Sequence, residues 1–330
     1  MSEQPDQAAA GGKWHWHPKL PLEGAPVFVM PPRPLQALRW LFSIGFMGSI
    51  VLPYVATALI SWTWLQRPLA DCTTLEPGWI LIIFARNLGV MVLVAGGLHL
   101  YLYRLKKQGD HHRFEARGFA RNDPRFFARN QVLDNIFWSC ASGVTLWSAC
   151  EVLFMWGYAN GALPFLAWRD NPVWFCALFV VIPFWQSLHF YTIHRLLHWK
   201  PLYRAVHALH HRNIVIGPWS GISMHPVEHV LYFSSAVLHL VFASHPVHVI
   251  FHMQYLVLSA AQSHSGYQDL VAGKRSVLAL GDFFHQLHHR HFTCNYGTDY
   301  VPLDTWAGSF HDGTMAATRR LARQGRGKPG

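Results

Sequence analysis

Apolar residues fall in four long, nearly uncharged blocks, and the chain between them is polar and basic. No charged residue lies between Arg39 and Arg67. A helix needs about 20 apolar residues to cross the hydrocarbon core, so this block is long enough to span. Pro53 within it predicts a kink. The second block, Gly78 to Tyr103, contains Arg86, which is costly in lipid and is expected at an interface or against protein. The third runs from Ile136 to Tyr158 and contains Glu151, and the fourth runs from Val173 to Ile193. A further apolar stretch, Val230 to Ala261, holds Pro246 and four histidines. It reads as one long span, a re-entrant hairpin or a buried core helix.

Loop charge sets the orientation. Residues 104–130 carry Arg104, Lys106, Lys107, Arg113, Arg117, Arg121, Arg125 and Arg129, whereas loops 65–77 and 159–170 carry one Arg each. The positive-inside rule puts the 104–130 loop in the cytoplasm. Counting spans from there places the chain after residue 194 on the same face. Residues 1–36 are polar and rich in Pro and Gly, and read as a loosely ordered tail without a cleavable signal peptide.

Composition agrees with a membrane protein. Charged residues are 13% of the chain, about half the usual globular share of roughly 25%. A net charge of +10 suits nucleic acid or a membrane surface, and the low charge density favours the membrane. No nucleic-acid partner is expected. The five cysteines are far apart and include no C-x-x-C, so neither a disulfide framework nor a zinc–thiolate site is expected.

The 23 histidines are the second anomaly, because 18 of them lie in residues 189–311. Four patterns stand out: His194-x-x-x-His198, His207-x-x-His210-His211, the lone His264, and His285-x-x-His288-His289. Spacings of three and four put residues on one helical face, so each H-x-x-H-H is expected to present three imidazoles together. Nine imidazoles suit two metal ions better than one. Imidazole binds Zn, Cu, Fe and Ni, while Ca and Mg want oxygen. The Glu-x-x-His pattern of soluble di-iron bundles is absent. His15, His17, His111 and His112 read as solvated, and His189, His239, His245, His248 and His252 as packing residues. His291 and His311 flank the last pattern.

The boxes, in this order after membrane spans, resemble the fatty acid hydroxylase superfamily, which includes sterol desaturases and sterol C-4 methyl oxidases. Tyr191-x-x-His194-Arg195-x-x-His198 resembles the family's first box, and Pro201-Leu-Tyr-Arg-x-x-His207 the lead into its second. His225-Pro-x-Glu228, His264-Ser-Gly-Tyr267, Asn295-Tyr-Gly297 and Asp304-x-Trp306-x-Gly308 are similar to further family segments. The resemblance covers about residues 173–310. It departs at Gln186 and Ser187, where the family often has an acid, and at Gln268, where some members carry another ligand.

The resemblance implies a membrane non-haem di-iron oxidase that uses dioxygen and external electrons to hydroxylate or desaturate an apolar lipid. A sterol-like substrate is expected, with carotenoid, ether-lipid or fatty-acyl oxidation as the alternative. His194, His198, His207, His210, His211, His264, His285, His288 and His289 are the expected ligands of two irons, with no other catalytic residue. His225, Glu228, His229, Gln268 and Asn295 are candidates for an extra ligand or a supporting contact. Glu228, Asp282, Asp299, Asp304 and Asn295 are candidates for fixing the imidazole tautomers. The chain lacks G-x-G-x-x-G and C-x-x-C-H, so electrons are expected from a separate b-type cytochrome or ferredoxin with its reductase. Trp219-Ser-Gly221 is expected along the substrate path.

Two rival classes are a His-rich metal transporter and a zinc hydrolase. The absence of an internal repeat counts against the first, and the absence of H-E-x-x-H against the second. The expected fold is an all-α, polytopic membrane helical bundle. It has about four spans plus a re-entrant or fifth helical segment, and a cytoplasmic His-box cap. The expected domains are a 1–36 tail, a 37–172 transmembrane region, a 173–310 catalytic domain and a flexible 311–330 tail. With no C-terminal retrieval signal, a bacterial inner membrane is favoured over the endoplasmic reticulum.

Overall fold

A computed structural model describes residues 14–273 and 275–326. The four apolar blocks form α1 (Pro34–Trp64), α2 (Pro77–Arg104), α3 (Gln131–Ala159) and α4 (Pro172–Leu197), each long and apolar enough to cross a membrane. The chain is an integral membrane protein by this measure. Its fold is helical apart from one hairpin.

Proline and glycine shape the spans. In α1 the chain breaks at Ser43, whose backbone is extended and whose Oγ accepts from Phe46 N at 3.1 Å, capping the longer part of the helix. A widened turn, Ile44–Val51, then precedes Pro53. Such turns absorb the donor that proline lacks. Similar wide turns interrupt α2 at Val92–Gly96 and α3 at Ser139–Val144.

Arg86 of α2 does not reach an interface. It pairs with Glu151 of α3, with both side chains at most 2% exposed. Asn87 Oδ1 accepts from Arg86 Nε at 3.1 Å, and Asn87 Nδ2 donates to Glu151 Oε2 at 3.1 Å. The two ionisable residues that looked anomalous in separate blocks satisfy each other inside the bundle.

The stretch from Val230 to Ala261 is two helical parts separated at residues 242–245, and only the second is the buried core helix. After the helical segment α5 (200–211) come α6 (Pro226–Phe233) and α7 (Pro246–Ser263). Nearly every residue of α7 is buried, because it packs against α1, α3 and α4. It is the core helix of the bundle, and its C-terminal end delivers His264. Its histidines bond inside the protein: His239 Nε2 lies 3.1 Å from His252 Nδ1, and His248 Nε2 lies 2.9 Å from Phe175 O.

Beyond α7, β1 (Asp269–Ala272) pairs antiparallel with β2 (Arg275–Ala279), with Leu270 opposite Leu278. Then come α8 (Phe283–His291) and α9 (Met315–Arg326). Three expectations change here. Residues 14–28 are not a loose tail: His15 N donates to Phe114 O at 3.0 Å, and Leu22 N to Asp312 O at 2.8 Å. Trp14 packs edge-on against Phe283, so the aromatic residues of this segment tie it to the His-rich half. Residues 1–13 lie outside the described residues. The 311–330 tail is helical over 315–326, held by buried Ala317 and by a contact between His311 Nε2 and Thr318 Oγ1 at 3.2 Å. His112 is not solvated: its Nδ1 meets Asp269 Oδ1 at 2.6 Å. The basic loop is thereby pinned to the hairpin.

Candidate metal centre

Four pieces of chain converge at the end of α4. His194 and His198 lie one turn apart there, and α5 brings His207, His210 and His211. His264 caps α7, and α8 brings His285, His288 and His289. All nine expected ligands meet, in two groups. The first is His194, His198, His207, His211 and His288, and the second is His210, His264, His285 and His289. Within each group the donor atoms lie within 4.8 Å of one another.

The grouping corrects the expectation that each H-x-x-H-H serves one face. In α5, His207 and His211 point to the first group and His210 to the second. In α8, His288 points to the first group and His285 and His289 to the second. Residues four apart lie nearly above each other, whereas residue i+3 falls on the other side of that line. With both helices lying between the two groups, that offset is enough to split each motif.

The tautomers are fixed by what the other ring nitrogen does. His194 Nδ1 donates to Tyr296 O at 2.6 Å, His288 Nδ1 to Cys294 O at 2.6 Å, and His264 Nδ1 to Ala260 O at 2.9 Å. A carbonyl only accepts, so each of these Nδ1 atoms carries the proton and each Nε2 presents a bare lone pair. His207 Nδ1 meets Glu228 Oε1 at 2.7 Å. The Nε2 atoms then face each other: His194 to His207 at 3.1 Å, His288 to His211 at 3.1 Å, and His264 to His289 at 3.1 Å. In the His194–His207 pair, with both Nδ1 protons held elsewhere, the two lone pairs repel unless a cation lies between them, whereas the Nδ1 atoms of His211 and His289 have no partner among the described residues that would fix their tautomers. Cis donors at a metal–nitrogen distance of about 2.1 Å stand about 3.0 Å apart, which matches. The residues therefore fit a metal at each group.

Burial also keeps the rings in the form that a metal binds. It lowers His198 to about 3 and His210 to about 4, and it holds His207, His211, His264, His285, His288 and His289 well below the ordinary imidazole value. Burial pushes the Glu228 carboxyl up, and its Oε2 has no hydrogen-bond partner among the described residues. A cation on the far side of His207 is the counter-charge that this carboxylate lacks.

The supporting candidates separate by contact. Asp304 accepts from Tyr296 N at 2.9 Å and Gly297 N at 2.7 Å, and so fixes the carbonyl that orients His194. Asn295 takes a left-handed backbone with φ of 53° and clips the loop: its Nδ2 donates to Phe284 O and His311 O at 3.0 Å each. Asp282 caps α8 through Phe284 N at 2.9 Å. Asp299 lines the cavity at an exposed position and makes no hydrogen bond to any of the nine rings among the described residues. His225 caps α6, and both ring nitrogens of His229 are taken, by Ser142 Oγ at 2.9 Å and Ile222 O at 3.1 Å. Neither His225 nor His229 joins a group. His291 and His311 stack on each other away from both groups.

A cavity of about 380 Å³ reaches His194, His207, His210, His264 and His285. Its walls are mainly apolar, with Trp40 and Phe46 from α1, Phe190 from α4 and Tyr232 from α6. Gln186 and Gln268 line it, each with a buried Oε1 that has no partner among the described residues. Of the Trp219-Ser-Gly221 segment only Gly221 reaches the cavity. A side chain there would run into the Ala260 backbone of α7, which is why glycine stands at this crossing.

Residues 179–309 match the family model described as fatty acid hydroxylase. The matched segment contains all nine histidines of the two groups. Similar proteins include a Delta(7)-sterol 5(6)-desaturase of Gibberella zeae, 31% identical over 140 residues that make up 41% of this chain and 42% of the relative. A methylsterol monooxygenase of Aspergillus fumigatus is 29% identical over 149 residues, 43% of this chain and 49% of the relative. A Delta(7)-sterol-C5(6)-desaturase of Nicotiana tabacum is 26% identical over 153 residues, 44% of this chain and 53% of the relative. The chain spans about half the length of these curated relatives. They are fungal and plant proteins, which counts against the bacterial inner membrane favoured from the C-terminus. No solved structure matches.

Proposed function

We propose that this protein is a membrane non-haem di-iron oxidase that uses dioxygen and external electrons to hydroxylate or desaturate a sterol or sterol-like lipid. The observation that carries the reading is the convergence of imidazole donor atoms in two buried groups at the wall of one apolar cavity. The names of the relatives supply the substrate class. Two bound irons would supply dioxygen activation and the oxidation of an unactivated C–H bond.

The chain's own residues do the rest. The nine histidines are the ligands in this reading. Glu228 and the carbonyls of Tyr296, Cys294 and Ala260 hold the Nδ1 protons and aim the rings. Trp40, Phe46, Phe190 and Tyr232 exclude water and position an apolar substrate against the second group. Position of the substrate carbon decides between an alcohol and a double bond. Residues 173–310 act as the catalytic domain, and the His-rich face is cytoplasmic by the charge of the 104–130 loop. A transporter reading fits poorly, because both groups sit at one end of α4 and no repeat supplies a mirrored site.

The test is the purified full chain in lipid nanodiscs. Metal analysis should find two irons per chain. Incubation with a Delta(7)-sterol or a 4-methylsterol, a reductant and oxygen-18 gas should give a product carrying the label or lacking two hydrogens. Zinc in place of iron, or product formation without dioxygen, would refute the oxidase reading.

A further inference from the structure

We propose that the surface around His198 is where an acidic one-electron carrier protein docks and where its electrons enter. The inference rests on the oxidase reading. Hydroxylation by dioxygen balances as RH + O₂ + 2 e⁻ + 2 H⁺ → ROH + H₂O. A one-electron carrier must therefore be oxidised twice per product, within reach of the histidine groups.

The nine rings are not equally enclosed. Eight are buried and His198 alone is half-buried. Its ring stands 4.9 Å from that of Tyr296, over which the Arg195 guanidinium sits at 4.6 Å. Around this opening Arg195, Trp199, Lys200 and Arg204 are exposed, Trp199 by 61%. No Asp or Glu occurs between Asp170 and Glu228. Among the described residues, Arg195, Lys200 and Arg204 make no ion pair, unlike Arg113, Arg117, Arg125, Arg212 and Arg290, which each hold a carboxylate. The patch is thus an unpaired positive surface that includes an exposed aromatic and adjoins the least enclosed ring in the chain. Such a field steers and orients an acidic partner.

The cavity approaches from elsewhere. It reaches His194, His207, His210, His264 and His285 but not His198. Substrate and carrier therefore occupy different faces of the paired groups and do not compete. Anionic lipid headgroups would be attracted by the same charges, so the experiment removes them.

The full chain is placed in nanodiscs of zwitterionic lipid, and lipid product is measured with two electron sources. One is a reduced acidic [2Fe–2S] ferredoxin, which must dock. The other is methyl viologen radical, which need not dock and is supplied anaerobically to reduce the protein before dioxygen is admitted for a single turnover. The double variant Lys200→Glu/Arg204→Glu is compared with the unaltered protein. Its ferredoxin-driven rate should fall at least about tenfold and lose its dependence on salt, while the viologen-driven rate does not fall. An unchanged ferredoxin-driven rate overturns the assignment, as does an equal loss with both reductants. Viologen-driven turnover in the unaltered protein tests the oxidase reading separately, and its complete absence overturns both.

Discussion

The two histidine groups share α5 and α8, with α4 completing the first and the end of α7 the second, and they differ in surroundings. The first has five rings, a carboxylate behind one of them and one half-open member. The second has four fully buried rings, of which His264 leans on the Ala260 carbonyl and His210 lies 3.4 Å from the Ser223 carbonyl. Three of those four line the cavity, against two of the five. The first group thus has five donors and a half-open member, while the second has four and faces the cavity. One protein fold gives two chemically similar groups different surroundings through exposure and supporting contacts rather than ligand type.

The largest effect should come from breaking the group of four. His264→Ala should lower bound iron from two to one per chain and cut product formation on the order of 10³-fold, since a catalytic metal is worth several kcal/mol. His198→Ala should keep two irons, because four rings remain in its group. Equal iron loss in the two variants, measured by metal analysis, would erase the distinction.

Glu151→Leu probes a region remote from both groups. It leaves Arg86 buried and unpaired, which should cost about 3–5 kcal/mol of stability, read by thermal unfolding in detergent. Both irons should stay. Loss of iron would mean that the membrane bundle and the His-rich half unfold together.

Glu228→Gln removes the charge behind His207 while keeping the side-chain shape. Iron affinity in the first group should fall about 10–100-fold, as measured by chelator competition, with the second group unaffected. No comparable single change exists for the second group, whose orienting carbonyls belong to the backbone.

A further effect is expected on the iron-free protein in acid. Burial holds His210 and His229 at about 4 in the fold, below their unfolded value of about 6.5. The unfolded chain therefore takes up protons first. The stability linked to these groups is complete above about pH 6.5 and is lost progressively towards pH 4. Denaturant midpoints across that range should fall with pH, and bound iron should blunt the fall. A flat profile would mean that these rings are not held neutral.

Much of this was legible in the chain. Uncharged blocks marked α1 to α4, and His spacing marked eight of the nine rings, with the lone His264 added by its family-like segment, because length and type of side chain are written directly in the residues. Four features were not. The splitting of each H-x-x-H-H between two groups depends on where α5 and α8 lie relative to each other, which one helix's periodicity cannot state. The partners of His194, His264 and His288 are backbone carbonyls, and every residue has one, so no letter announces them. Arg86 and Glu151 each looked costly alone, and only the packing of α2 on α3 brought them together. The packed course of residues 14–28 was hidden for a similar reason: Trp14 and Trp16 sit among polar neighbours and find Phe283 and Phe114 only in three dimensions.

His210 and His211 are consecutive, and so are His288 and His289, and in each pair one ring serves each group. The separation of the two donor sets is therefore measured out twice by a single peptide unit, a spacer whose length cannot vary because its bonds and plane are fixed. Side chains elsewhere can be exchanged and helices can drift over evolutionary time. The gap between the two sites cannot be widened without cutting one of those dipeptides apart, so the pair behaves as one part with two sockets rather than as two parts.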